Sequence, residues 1–125
     1  MLVLGLLVLA VGATAGIVTA ATPKKGSSYV GTLSGTSFRL EKRVVLKVSD
    51  SGTGRVRLSC SDTRIGVSSK FAIVNGKFTA VKTTGSLLVW RLRGRFASRE
   101  TARANLYLPA ACDGKGGKVT LELAE

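Results

Sequence analysis

The chain has 125 residues, with 19 Lys and Arg against 7 Asp and Glu, no histidine and two cysteines, giving a formal net charge of +12. Such a length holds one domain with a modest core. Without histidine there is no Ser-His or Cys-His nucleophilic pair and no imidazole metal site, and two cysteines that pair leave no thiolates for zinc.

The first 23 residues carry no charge. Leu2 to Val11 has the length of a signal-peptide h-region, and the small residues Val18-Thr19-Ala20 offer a cleavage site, with Ala13-Thr14-Ala15 as a second. Residues 1–21 therefore read as an apolar leader helix that serves as a signal peptide. The rival reading is an uncleaved anchor, because no Lys or Arg precedes the apolar run and roughly 20 apolar residues also suffice to span a bilayer. Export would place the chain outside the cell or in its envelope, or make it a membrane-anchored ectodomain if the leader stays on. In that setting Cys60 and Cys112 are expected to form a disulfide. The loop they close is about 50 residues long, for which the chain-entropy model gives roughly 4 kcal/mol.

Residues 22–28 combine Pro, Gly and Ser with two lysines and no apolar period, which predicts an exposed linker. From Tyr29 to the end, residues 29–125, the pattern alternates. In Phe38–Val48, Phe38, Leu40, Val44, Leu46 and Val48 share one face opposite Arg39, Glu41, Arg43 and Lys47, while Lys42 and Val45 break the pattern. Beyond a turn at Ser49–Gly54, Val56, Leu58 and Cys60 face inward with Arg55 and Arg57 outward. Asn75-Gly76 suits a two-residue type I′ turn, which would set Ile73 across from Phe78 and Phe71 across from Ala80.

A long strand then runs from about Leu87 to Phe96 and turns near Ser98–Thr101. It returns with Ala102, Ala104, Leu106 and Leu108 on one face, and a last strand points Val119, Leu121 and Leu123 inward. Seven or eight short strands, with no helical period after the leader, predict an all-β antiparallel sandwich or flattened barrel of meandering hairpins.

The order Tyr29-x-Gly31, Val48-Ser49-Asp50-Ser51-Gly52, Cys60-Ser61-Asp62, Phe71-x-Ile73-x-x-Gly76-x-Phe78, Gly94-x-Phe96 and Cys112-Asp113 resembles a family of small secreted bacterial β-domains of unknown function. The likeness spans nearly the whole chain after the leader. It implies export, the disulfide and the fold, and no activity. Ala104 stands where that family tends to have glycine, and Gly114–Gly117 lengthens the turn after Cys112, which leaves strand register open.

Carboxylates are the remaining candidates for chemistry. Asp62 and Asp113 each lie within two residues of a cysteine, so the disulfide would bring them into one neighbourhood, to do acid–base work, hold Ca²⁺ or simply cap turns. Turn capping is the simpler reading. Ser69 and Lys70 are adjacent on an extended chain and point to opposite faces, which argues against a Ser/Lys pair.

The remaining signal is basic. Arg91, Arg93 and Arg95 share one face by period two, opposite Trp90, Leu92 and Phe96, which read as core. Readers of single-stranded nucleic acid interleave aromatics with cations on one surface, and this strand separates them, so no specific nucleic-acid partner is expected. Arg55, Arg57 and Arg103 are candidates for the same or a neighbouring face. Lys24, Lys25 and Lys77, in the linker and at a hairpin tip, read as remote from it.

Like charges on one sheet face repel. They are understandable as a solvated strand face, or as a site whose counter-charge comes from an anionic envelope polymer, an acidic glycan or lipid headgroups. The sequence therefore points to a non-enzymatic secreted β-domain that needs no cofactor or metal and binds anions through these six arginines. The alternative is a structural or protein-interaction module, for example an inhibitor, using loops such as Ser34–Ser37 and Gly114–Gly117.

Overall fold

A computed structural model describes residues 21–33, 41–61, 63–109 and 111–124. The leader at 1–20, Phe38, Leu40, the Ser34–Ser37 loop and Asp62 lie outside the described residues. The described residues form nine antiparallel strands: β1 (Ser28–Leu33), β2 (Lys42–Val48), β3 (Thr53–Cys60), β4 (Thr63–Val67), β5 (Phe71–Ala72), β6 (Lys77–Thr84), β7 (Leu87–Phe96), β8 (Thr101–Tyr107) and β9 (Gly117–Leu123).

They hydrogen-bond in the order β4-β3-β2-β1-β9-β8-β7-β6, with β5 also on β3. β1 to β4 and β6 to β9 each pair in sequence order, β4 and β5 both lie against β3, and the end of the chain pairs with its beginning at β9–β1 through Tyr29↔Leu123 and Val30↔Glu122. The result is one nearly closed barrel rather than two stacked sheets, because all nine described strands belong to a single sheet that wraps round one core. Trp90, Tyr29, Phe96, Leu46, Leu58, Leu92, Leu108 and Leu121 are fully buried there. Edge-to-face packing of Tyr29 on Phe96 at 4.9 Å ties β1 to β7 across it.

Ladder hydrogen bonds do not close the gap between β6 and the β4–β5 side; side chains do. The buried indole of Trp90 needs an acceptor for its N–H and donates to the Ile65 carbonyl at 3.0 Å. Phe71 stacks on Phe78 with centroids 5.8 Å apart. Lys82 lays its aliphatic stem over Gly66, whose φ of +119° and missing side chain make room for it.

Between β4 and β5, Ser68 stands in for a strand residue. Its N–H donates to the Val56 carbonyl at 2.8 Å and its hydroxyl accepts the Val56 N–H at 3.0 Å. The edge of β3 is thereby satisfied one residue past the Arg57↔Val67 pair that ends the β4 ladder.

Asn75 and Gly76 adopt φ of +54° and +74°, as a type I′ turn requires. The hairpin it starts is nevertheless shorter than its alternation implies. Only Val74 bridges Lys77, and Phe71 pairs with Gly54 of β3 instead of Ala80. The segment expected as an exposed linker packs against the barrel: Pro23 and Ser27 are buried, and the Ala21 N–H donates to the Phe96 carbonyl at 3.0 Å.

Candidate functional site

Outward side chains of β6, β7, β8 and β9 fall into rows, because residues directly opposite across an antiparallel pair share a face. One row runs Lys77, Arg95, Arg103, Thr120. The next runs Thr79, Arg93, Asn105, Lys118. A third runs Val81, Arg91, Tyr107.

The first two rows line an open groove of about 990 Å³, walled at one end by Ala72, Val74 and Asn75. Its lining holds five cations (Lys77, Arg93, Arg95, Arg103 and Lys118) and no carboxylate. Gly94 and Ala104, opposite one another, keep the strands close beneath it. A Cβ at Gly94 would lie 2.6 Å from the Arg103 carbonyl oxygen and 2.7 Å from the Ala104 Cβ.

Lys77, Arg95 and Arg103 stand side by side, an arrangement that costs free energy wherever nothing neutralises it. Among the described residues none of the five makes an ion pair with a carboxylate. Glu122, the acid nearest along β9, accepts a hydrogen bond from the Thr101 hydroxyl at 3.0 Å instead.

The six arginines singled out in the sequence therefore divide. Arg91, Arg93, Arg95 and Arg103 share the β7–β8 surface. Arg55 and Arg57 also point outward, but from β3, which β2, β1 and β9 separate from β8. Counted that way they lie four strands, about 19 Å, from Arg103, and although β3 also approaches β6 the other way through β4 and β5, neither arginine lines the groove. On β3, Arg57 sits between Val45 and Val67, and Arg55 beside Lys47.

Two groove cations were not among those singled out. Lys77, expected to be remote at its hairpin tip, is directly opposite Arg95, and Lys118 reaches the groove through Asn105. The Asn75-Gly76 turn sets Lys77 only opposite Val74; its place beside Arg95 comes from the register of β6 against β7. For Lys118 the register of β8 against β9 was needed.

The barrel end near the disulfide is arranged differently. Cys60 and Cys112 are bonded. Lys42, opposite Cys60 on β2, points inward and donates to both Asp113 carboxylate oxygens at 3.1 Å, with side-chain exposures of 1% and 7%. Asp113 also accepts the Lys115 N–H at 2.9 Å, the turn-capping role its setting suggested. Its carboxylate is thus occupied by a buried cation and a turn. Among the described residues no three His, Cys, Asp or Glu side chains come together. Ser69 and Lys70 are exposed neighbours, and the hydroxyl that does structural service is that of Ser68.

Comparison with known proteins finds no matching family model, no similar curated protein and no similar solved structure.

Proposed function

We propose that the protein is a non-enzymatic, exported β-domain that binds an anionic polymer of the cell envelope through the groove on β6–β9. The observation that carries this reading is the groove itself: five cations, three of them adjacent in one row, with no carboxylate in the lining. A bound chain of anions would relieve the repulsion within that row. Arginine, with its planar fork of donors, grips carboxylate or phosphate in two-point fashion and supplies three of the five cations. The disulfide is consistent with an oxidising, extracellular setting. The uncharged leader supports export in the same sense.

The barrel interior supports a surface site over an enclosed one. It is filled by Trp90, Tyr29, Phe96 and the aliphatic residues around them.

The reading is tested by titrating the isotope-labelled protein with a soluble polyanion and following backbone amide resonances. Shifts should concentrate on Lys77–Val81, Arg91–Arg95, Arg103–Tyr107 and Lys118–Thr120. Shifts concentrated on β2 and β3, or spread evenly over all basic positions, would show that the groove is not the site.

A further inference from the structure

One row beyond the groove, Tyr107, the last residue of β8, is 50% exposed beside Arg91. The Arg91 guanidinium, 5.0 Å from the ring centroid, covers it from the β7 side. On the β9 side the neighbouring backbone is Gly116 and Gly117, which have no side chains. A Cβ at Gly116 would overlap the Leu106 carbonyl and lie 3.3 Å from the Tyr107 Cα, so only glycine lets the chain run this close to the end of β8. The result is an aromatic platform held by a cation on one side and left bare on the other, in line with the groove rows.

Resting on the groove reading above, we infer that the polymer is an anionic glycan, with one sugar ring packed on Tyr107 and its charged neighbours in the groove. An aromatic surface offers a plain inorganic polyanion nothing, whereas the apolar C–H face of a sugar ring gains from it. A chain lying along the strands meets a new row about every 6.6 Å, so ring and anion subsites follow one another at close spacing. Between the cations, Thr79, Asn105 and Thr120 present hydroxyl and amide groups suited to sugar hydroxyls. Single-stranded nucleic acid fits less well. It stacks successive bases on successive rings, and among the described residues Tyr107 has no second exposed aromatic beside it, since Trp90, Phe96 and Phe78 are buried.

The experiment compares binding of three charge-matched probes to the exported protein and its variants: alginate oligomers, inorganic polyphosphate and oligothymidylate. Tyr107→Ala should weaken alginate binding about fivefold or more, by analogy with the loss of a stacking ring. It should change polyphosphate binding less than twofold, and Tyr107→Phe should retain the wild-type preference. The slope of log affinity against log salt should not change, because no charge is removed.

Equal effects of Tyr107→Ala on alginate and polyphosphate, or none on either, would overturn the glycan inference while a loss in Arg93→Gln/Arg95→Gln/Arg103→Gln kept the groove standing. Oligothymidylate bound more tightly than alginate, with the same dependence on Tyr107, would overturn it in favour of nucleic acid. Indifference of all three probes to the arginine substitutions would overturn the groove reading itself.

Discussion

Removing Asp113 takes the carboxylate from a lysine at 1% exposure, and removing Lys42 takes the buried cation from a carboxylate at 7% exposure, both next to apolar strand residues and a disulfide. Lys42→Met or Asp113→Leu alone should cost about 3–5 kcal/mol, read as a lower urea midpoint at unchanged m-value. The double change Lys42→Met/Asp113→Leu should recover most of that loss, because it removes both desolvated charges together. A single variant within about 1 kcal/mol of wild type would mean that water reaches the pair. Gly94 fails by a different mechanism. A valine there has no space between the Arg103 carbonyl and the Ala104 methyl, so Gly94→Val should cost about 1–3 kcal/mol or more through overpacking.

Lys42 also marks a limit of sequence reading at this scale. Its position in the alternation put it on the inward face with Val44 and Leu46, yet a lysine there looks like a break in the pattern. What resolves it is Asp113, 71 positions away, and nothing local in the chain announces such a partner.

The disulfide is the strongest constraint among the elements. It closes a separation of 52 residues and ties the end of β3 to the loop before β9. Its loss through Cys112→Ser should remove about 3–4 kcal/mol and lower the melting temperature by on the order of 10 °C or more. Peptide mapping without reductant should find Cys60 joined to Cys112. Two free thiols in freshly exported protein would contradict both the pairing and the oxidising setting.

Strand by strand, alternation was informative where one face is core: Leu87–Phe96 coincides with β7, and the inward residues of β8 and β9 are those the period selected. It was silent about partners. Phe71 alternates equally well with Ala80 or Gly54, and the choice of β3 follows from packing around Phe78 and the Ser68 insertion, which are long-range facts. For the same reason alternation cannot separate β5, two residues long, from the neighbouring hairpin.

At the scale of the whole molecule, sequence showed that the charge was there and could not distribute it. Period two assigns a residue to the outer surface, but the position around the barrel depends on strand order. The registers of β6 on β7 and β8 on β9 bring Lys77 and Lys118 in, and strand order leaves Arg55 and Arg57 on β3, outside the groove lining.

That distribution separates binding by a site from binding by net charge, and one measurement decides between them. The affinity for an immobilised polyanion is followed against salt for the wild type, for Arg93→Gln/Arg95→Gln/Arg103→Gln, and for a charge-matched control on β2 and β3, Arg43→Gln/Arg55→Gln/Arg57→Gln. Exposed strand substitutions of this kind usually cost under about 0.5 kcal/mol each, so all three proteins should stay folded. If each groove arginine neutralises about one anion of a duplex-like polymer, the groove variant should bind weakly, with the log–log slope flattened by roughly two to three, while the control stays within about one of wild type. Equal flattening in the two variants would contradict a groove site and leave a uniformly basic barrel in its place.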